Sequence, residues 1–389
     1  MTGKTQVAVL FGGRSAEHEI SILTALQAIQ AIDPCSYEAI PVYVALNGKW
    51  YTGKPLLDKG FYRKLPDAFS QVEEVTLLPQ PSVGGLTRLT KTRGVIPIDI
   101  CFLAFHGQYG EDGAIQGLLE LADLPYTGCG MMASAVAMNK YQCKVFLNAH
   151  GVPVLTSITI RRRDAIRDIA GVREQILATP GLGRFPLFVK PCHLGSSIGI
   201  SIAENERSLT GSLAKAFQYD DEAIIEPCVR HLLEINVAVL DGDPPVASVV
   251  EVPVSSGGQI LSYEDKYLRG DTKSSGSSEG MASLTRMINP PMLPQQLKDD
   301  VTRYALRAFS LLGCSGVGRF DFIFDKEQGQ LYFNELNPIP GSLAFYLWEK
   351  SEPRLLYTEV INRLLQRARE VKSDQLALQK HLGFKALLK

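Results

Sequence analysis

YFNELNPIPGS, residues 332–342, has the alternating pattern of a β-strand and then stops at Pro-x-Pro-Gly. Side chains alternate across a strand, so Phe333, Glu335 and Asn337 are expected to share one face. A carboxylate on a buried strand face needs a cation or a hydrogen-bond partner. The residues just before this stretch indicate which partner it has.

VGRFDFIFD, residues 317–325, is predicted to be the partner strand. The connector DKEQGQ is polar and contains glycine, as hairpin turns do. A hairpin that turns within this connector sets Asp321 opposite Glu335 and Arg319 opposite Asn337. Two opposed carboxylates repel each other, so this pairing is expected to cost stability unless a cation lies between them.

A solvated sheet face is the alternative explanation of these acids. It is disfavoured because the flanking positions are apolar on both faces: Phe320, Phe322, Ile323, Phe324, Leu331 and Phe333. Asp, Glu and Asn oxygens are ligands for a hard cation such as Mg²⁺, particularly when substrate phosphates complete its coordination shell. The hairpin therefore indicates a metal site, and it predicts a phosphate site elsewhere in the chain.

Length and composition bound the function. A chain of 389 residues, 45% of them hydrophobic, is expected to divide into about two to four domains. The net charge of −1 argues against a nucleic-acid or anionic-membrane partner. No apolar run approaches the roughly 20 residues of a membrane span, and no signal-peptide pattern is present. Seven dispersed cysteines without CxxC spacing indicate reduced thiols in a cytoplasmic protein.

Strands and helices alternate along the chain, which predicts the α/β class. A buried strand at 7–11 enters a glycine turn and a helix over 16–32. A second buried strand at 99–105 precedes a helix over 114–124, and residues 45–96 are expected to be a peripheral elaboration of this unit. A dinucleotide-binding reading is disfavoured because no third glycine follows at the fingerprint spacing.

The predicted phosphate site is PLFVKPCHLGSSIGI, residues 186–200. An apolar strand delivers Lys190 to a loop rich in Gly and Ser, whose N–H groups and hydroxyls can bind a polyphosphate. A mobile surface loop is the alternative. Glu17 and Glu19 lie in the first turn of the first helix, where capping and substrate binding are equally compatible with the sequence. Glu226 and Glu234 are placed to meet an adenosine.

Several motifs together resemble the D-alanine:D-alanine ligases of the ATP-grasp superfamily over residues 7–348: SAEHEIS, HGxxGEDGxxQGLLE, PYTG, KPxxxGSSxG, YEDKY, GxGRFDF and NELNPIPG. The resemblance implies an ATP-grasp fold in three domains, with a doubly wound-like parallel sheet in the first and α+β architecture in the nucleotide-binding part. The expected domains are 1–128, 129–228 and 229–389, the last with a lid over 267–288 and C-terminal helices. ATP would lie between the second and third domains together with two Mg²⁺ ions. Mn²⁺ would be able to substitute for Mg²⁺. A homodimer is expected.

The resemblance also implies roles for individual residues. The metal ligands would be Asp321, Glu335 and Asn337. The residues at ATP would be Lys140, Lys190, Ser197, Glu226, Glu234 and Lys266. This chain has Arg230–Leu233 before Glu234, where the family usually has a glycine.

The catalytic set implied by the resemblance is Glu17, Ser196, Tyr267, Arg319 and Gly341. Glu17 would bind the ammonium of the first substrate within a hydrogen-bonded trio with Ser196 and Tyr267. Arg319 and the Gly341 N–H would stabilise the oxyanion. His106 would lie near the first substrate, with a structural loop histidine as its alternative.

The implied reaction is ATP-dependent ligation of two D-alanines through an acyl phosphate, for peptidoglycan precursors. A non-catalytic relative is disfavoured because every expected ligand and lysine is present. A phosphotransferase is disfavoured by the retained trio. A ligase with another amino acid or a hydroxy acid as acceptor is a closer alternative.

The acceptor end departs from the family. Tyr346 stands where the family has a serine whose hydroxyl binds the second substrate's carboxylate. Lys266 and Tyr267 match the dipeptide-forming members, which disfavours a hydroxy-acid acceptor. We therefore expect Ser342 or Tyr346 to hold the acceptor carboxylate, with D-alanine as the acceptor.

Overall fold

The architecture comes from a computed structural model that describes residues 3–89, 94–254 and 286–378. Its first sheet comprises β1 Thr5–Gly12, β2 Tyr37–Val44, β3 Trp50–Thr52, β4 Glu73–Leu77, β5 Gly85–Arg88, β6 Val95–Pro97 and β7 Ile100–Leu103. Their order is β6-β5-β4-β3-β2-β1-β7. β1 is parallel to β2 and β7, whereas β3 to β6 extend the sheet in antiparallel fashion. The segment predicted to be peripheral thus supplies most of this extension.

Two antiparallel sheets follow. The second contains β8 Ile158–Arg161, β9 Leu187–Pro191, β10 Ser201–Ala203 and β11 Glu222–Pro227, in the order β10-β9-β11-β8. The third contains β12 Leu232–Leu240, β13 Val246–Ala247, β14 Glu251–Pro253, β15 Arg286–Ile288, β16 Val317–Asp325 and β17 Gln330–Asn337. Its order is β15-β14-β12-β16-β17, with β13 beside β12. A parallel-centred sheet followed by two antiparallel sheets agrees with the predicted α/β and ATP-grasp architecture.

The helices cover the sheets and connect their strands. Within the described residues the α-helices are α1 His18–Ala31, α2 Lys59–Tyr62, α3 Ala114–Leu121, α4 Met131–Met138, α5 Lys140–Ala149, α6 Arg162–Arg167, α7 Ile169–Ala178, α8 Glu206–Ala216, α9 Gln295–Leu311, α10 Phe345–Trp348 and α11 Tyr357–Ala377. Across the described part of the chain, none of these helices combines the length and apolar character that a bilayer crossing requires.

The predicted hairpin is confirmed, with one correction. Asp321 pairs with Glu335 and Arg319 with Asn337, but the register shifts after Asp321, so that Phe322 pairs with Phe333. Asn334 is therefore the extra residue of a β-bulge. The expectation that Phe333 shares a face with Glu335 is wrong, because the bulge turns its ring into the core.

Among the residues that the structure describes, three apolar cores hold the elements in place. The helices α4 and α5 pack with α9 and the third sheet in one core, and the second sheet has its own. The first sheet shares its core with residues from the far end of the chain, including Leu343, Trp348 and Leu364. Consequently the turn after β17 and helix α11 are packed directly against the first sheet.

The turn from β1 into α1 brings the start of that helix close to the site. Gly12 has φ 89°, and a Cβ there would lie 2.3 Å from the Val44 carbonyl oxygen, so only glycine fits. The Gly12 N–H donates to Ser21 Oγ at 2.7 Å, and Ser21 donates to the Ala104 carbonyl at 2.8 Å. These bonds join the helix to the ends of β1 and β7.

Candidate active site

The hairpin brings together the three predicted metal ligands. Arg319 donates from Nε and an NH2 group to the two oxygens of Asp321, each at 2.7 Å, and Asn337 Nδ2 donates to Asp321 at 3.1 Å. Lys140 Nζ lies 3.3 Å from Glu335 Oε2. The cation that the opposed acids require is thus supplied twice, by Arg319 and by Lys140.

Asp321 is buried, and its burial raises its pKa to about 6, with Glu335 and Glu234 adding to the increase and Arg319 opposing it. A carboxylate that is costly to keep charged favours an added cation. The oxygen-rich set of Asp321, Glu335 and Asn337 therefore fits a hard divalent ion. Because two carboxylates and one carboxamide fill only part of a six-ligand shell, such an ion would take further oxygens from phosphate or water.

Lys140 connects the hairpin to the predicted phosphate loop. It is the first residue of α5, whose N-cap Asn139 accepts from the Gln142 N–H. Its Nζ donates to the Leu194 carbonyl at 2.5 Å. Burial opposes its charge, but Glu335 and other neighbours outweigh burial, so the Lys140 pKa is raised. It is a cation at neutral pH.

Two further lysines meet at Glu226. Lys190 Nζ lies 2.9 Å from Glu226 Oε2 and donates to Asn334 Oδ1 at 3.0 Å, while Lys144 pairs with Glu226 Oε1. Burial opposes the Glu226 charge, but the two lysines outweigh burial and lower its pKa to about 2. Burial lowers the Lys144 pKa to about 8, against the pull of Glu226. At neutral pH the group is ionised, with two cations sharing one carboxylate.

The loop after β9 reaches the first helix. Ser196 and Ser197 have φ 54° and 59°, left-handed values that turn the loop back on itself. Ser196 Oγ donates to the Glu17 carboxylate. Glu17 is the N-cap of α1, yet its side chain makes no capping hydrogen bond, and it is buried while Glu19 is exposed. The capping alternative therefore fails for Glu17, and the predicted Glu17–Ser196 contact is present.

His106 lies in the same region. Thr24 Oγ1 is 2.9 Å from His106 Nε2. Burial, together with the nearby Arg319, lowers the His106 pKa to about 4, so the ring is neutral at physiological pH. The histidine is placed beside the expected oxyanion residue Arg319, as well as being internally hydrogen-bonded.

Glu111 joins the first unit to the turn that carries Gly341. Its two carboxylate oxygens accept from the N–H groups of Gly107 at 2.6 Å and Ile339 at 3.1 Å. Burial raises its pKa to about 8, and the charge of Glu17 contributes. A cavity lined by Glu17, Glu111, Lys140, Gly195, Glu335 and Asn337 lies at this junction.

The turn after Asn337 is unusual. Ser342, Leu343 and Ala344 have φ values of 49°, 53° and 51°, three consecutive left-handed residues without a glycine among them. Ser342 Oγ donates to Gln27 Oε1 at 2.7 Å, and the Ser342 N–H reaches Thr24 Oγ1 at 3.5 Å. Helix α1 thus fixes the turn that begins at Gly341.

Tyr346 belongs to a second buried polar cluster. Its hydroxyl donates to Glu251 Oε1 at 3.2 Å, and Arg286 Nη1 donates to Glu251 Oε2 at 2.7 Å. The Arg286 guanidinium lies 3.9 Å from the centre of the Tyr346 ring. Burial and the Glu251 charge raise the Tyr346 pKa to about 12, so the phenol keeps its proton.

The structure describes some of the remaining predicted residues and not others. Glu234 lies on β12 opposite Ile323, on the face that carries Asp321. Lys266, Tyr267 and all of the predicted lid except Arg286–Ile288 lie outside the described residues. Five further residues of these clusters are not predicted from the sequence: Lys144, Asn334, Glu111, Glu251 and Arg286. Only Lys144 had a clear signal, since it lies four residues after Lys140 on one helix face.

Comparison with known proteins relates both parts of the chain to one family. Residues 6–129 match the family described as D-ala D-ala ligase N-terminus, and residues 146–366 match D-ala D-ala ligase C-terminus. A curated relative from Chlorobium phaeovibrioides, a D-alanine–D-alanine ligase, is 36% identical, and the match covers 94% of this chain and 97% of the relative.

Two solved structures share the fold. The D-alanine-D-alanine ligase from Coxiella burnetii has TM-score 0.76 and 28% identity, with 96% of each chain covered. The VanG D-Ala:D-Ser ligase from Enterococcus faecalis has a TM-score of 0.76 and 26% identity. The match covers 94% of this chain and 100% of the VanG chain. Since family models match both parts of the chain and a curated relative is 36% identical over most of its length, this chain belongs to the D-alanine–D-alanine ligase family.

Proposed function

We propose that this chain is an ADP-forming ligase that joins two D-alanines, with ATP as the energy source, in the synthesis of peptidoglycan precursors. The observation that carries the proposal is the position of Lys140, which contacts both Glu335 of the acidic hairpin and the loop of Ser196 and Ser197. One cation thereby links a metal-type site, a phosphate-type loop and, through Ser196, Glu17.

ATP is proposed to lie between the units assigned to 129–228 and 229–389. Lys140 and Lys190 hold its phosphates, since both ammonium groups are buried and positioned by acceptors. Lys144 is placed to keep Glu226 ionised beside Lys190. Glu226 and Glu234 are proposed to meet the adenosine, and Lys266 and Ser197 to complete the phosphate contacts.

Two Mg²⁺ ions would be held by Asp321, Glu335 and Asn337. Mn²⁺ would be able to replace Mg²⁺ at this site. The metal would neutralise phosphate charge during phosphoryl transfer. The residues of the chain do the rest. Glu17, oriented by Ser196 and with Tyr267 as a proposed third member, binds the ammonium of the first D-alanine. The carboxylate of this D-alanine then faces the γ-phosphate of ATP.

The proposed reaction proceeds in two steps. The first D-alanine's carboxylate oxygen attacks the γ-phosphorus, ADP leaves, and an acyl phosphate forms. The amine of the second D-alanine attacks the acyl carbon, loses a proton, and phosphate leaves. Arg319 and the Gly341 N–H face the oxyanion that develops between these events. His106, neutral and adjacent to Arg319, lines the first-substrate side.

The acceptor is the less constrained part of the proposal. Ser342 or Tyr346 would meet the acceptor carboxylate, and a different amino acid as acceptor is the second candidate. The observation that favours this second candidate is Tyr346 itself, because a phenol narrows a pocket where the family has a serine. One solved relative is named a D-Ala:D-Ser ligase.

The test is a panel of D- and L-amino acids and D-lactate, each incubated with ATP, Mg²⁺ and D-alanine, with products identified by mass. D-alanyl-D-alanine with stoichiometric ADP and phosphate is the expected result. If D-alanine is a poor acceptor and another amine a good one, the substrate assignment falls while the ligase chemistry stands. Sedimentation of the purified protein tests the proposed homodimer, and fractionation of cells tests the proposed cytoplasmic location.

A further inference from the structure

A row of polar side chains crosses the third sheet beyond the metal-type site. The register pairs Glu335 with Asp321, Asp321 with Asn236, and Asn236 with Glu251. Paired residues point to the same face, and neighbouring strands are about 4.8 Å apart, so Glu251 lies roughly 10 Å from Asp321 along this row. The row of polar side chains thus leads from the metal-type site to Glu251 on one face of the sheet.

Glu251 anchors a cluster at the end of the row. Its carboxylate accepts from Tyr346 and Arg286, and Asn236 Nδ2 lies 3.3 Å from Oε1. The Arg286 side chain is only 8% exposed. The ion pair on one side and the Tyr346 ring on the other hold the guanidinium in a fixed plane.

We infer that Arg286 binds the carboxylate of the acceptor amino acid and so determines acceptor specificity. This inference rests on the proposed function. It makes Arg286, in place of the hydroxyl groups of Ser342 and Tyr346, the main contact of the acceptor carboxylate. An arginine presents paired N–H donors that match a carboxylate, and a guanidinium already held in place loses little entropy on binding.

The hydrogen bonds of the two hydroxyls support the choice. Ser342 donates to Gln27, and Tyr346 donates to Glu251, so each hydroxyl proton already has a protein acceptor. A hydroxyl has a single proton, so a carboxylate brought to either oxygen would have to displace that acceptor, whereas a guanidinium that binds Glu251 has five N–H donors in all. Tyr346 then serves as the surface on which Arg286 stacks.

The carboxylate partners of the neighbouring cations also favour Arg286 as the residue that binds the acceptor. Lys140 pairs with Glu335, and Lys144 and Lys190 pair with Glu226, all on the phosphate side. Arg319 is engaged by both oxygens of Asp321. Arg286 is the arginine at the end of the row away from these groups, where an incoming amino acid would extend from the acyl carbon.

The experiment compares two acceptors, D-alanine and D-alaninamide, which differ in the carboxylate. The wild-type chain should prefer D-alanine, and Arg286→Gln should reduce this preference in kcat/KM by about a hundredfold, because the variant lacks the cation. Hydroxylamine has no carboxylate, so formation of D-alanyl hydroxamate from D-alanine and ATP should survive in the variant. Products are resolved by mass.

Two further variants serve as controls. Arg286→Gln leaves Glu251 without its cation, so the double variant Arg286→Gln with Glu251→Gln restores neutrality and should show the same loss of preference. Arg303→Gln removes an exposed arginine of α9 and should behave as wild type. An unchanged preference for D-alanine in folded Arg286→Gln overturns the inference. A wild-type chain that makes the hydroxamate but no dipeptide would overturn the proposed function itself.

Discussion

Asp321 and Glu335 face each other across β16 and β17, and each is neutralised by a cation from a different part of the chain. Arg319, two residues away on the same strand, binds Asp321, whereas Lys140 comes from α5 to meet Glu335. The carboxylate pair is therefore stable without sharing a proton, and it can accept a further cation such as the proposed Mg²⁺.

Glu335→Gln should keep the fold and reduce turnover by a factor on the order of a hundred or more, because the transferred phosphoryl group loses charge neutralisation. The measurements are ADP release across a Mg²⁺ titration and the melting temperature. Glu327→Gln, at the exposed tip of the same hairpin, is the matched control and should be fully active. Near-normal turnover of Glu335→Gln at saturating Mg²⁺ would remove Glu335 from the metal site.

Lys144→Met should lower the free energy of unfolding by about 3 kcal/mol, because it leaves the buried Glu226 with one cation in place of two. It should also raise the KM for ATP, since Lys190 would then be drawn more strongly to Glu226. Urea unfolding and ATP-dependent kinetics measure the two effects. Lys64→Met, at an exposed position, is the control. Unfolding free energies equal for the two variants would contradict this role.

His106 gives a pH dependence of stability. The fold lowers its pKa from 6.5 to about 4 by burial and by the neighbouring Arg319, so the folded protein favours the neutral ring. Its contribution to stability is complete above pH 6.5 and is lost as the pH falls towards 4, to a limit of about 3 kcal/mol.

His106→Gln should therefore lose less stability than the wild type between pH 6.5 and 4. Urea unfolding at several pH values in this range measures the difference. His150→Gln changes an exposed histidine and should follow the wild-type curve. Parallel curves for His106→Gln and the wild type would show that His106 is not held neutral by the fold.

Ser196→Ala should raise the KM for the first D-alanine by about tenfold, because Glu17 loses a hydrogen bond to a charged group. Hydroxamate formation reports this site alone, since hydroxylamine takes the place of the second D-alanine. Ser70→Ala, on the exposed surface, should be neutral. A shift in the KM for ATP without any shift for D-alanine would assign Ser196 to the nucleotide instead.

The sequence was sufficient for features with short-range rules. The period of two and the polar connector fixed the pairing of Asp321 with Glu335, and the Gly-Ser loop after Lys190 lies where it was expected. The bulge at Asn334 could not be foreseen, because the sequence shows no glycine or proline there, and one extra residue reverses the face of Phe333.

Long-range partners were also beyond reach. Ser342 bonds to Gln27 across 315 positions, and Glu111 bonds to Ile339 across 228. Such contacts depend on how the first and third sheets pack, which no local pattern encodes. The family resemblance supplied the expected roles of Ser342 and Tyr346, but their hydrogen-bond partners emerge only from the structure.

The core shared by the first sheet and α11 constrains how the chain folds during synthesis. The N-terminal strands leave the ribosome first, yet apolar residues from 339–368 complete their core. Lys372 closes the arrangement with an ion pair to Asp123 at 2.6 Å. Until translation reaches this point, β7 and α1 keep apolar surface in water, so the nascent chain depends on late-arriving segments, or on a chaperone, to cover it.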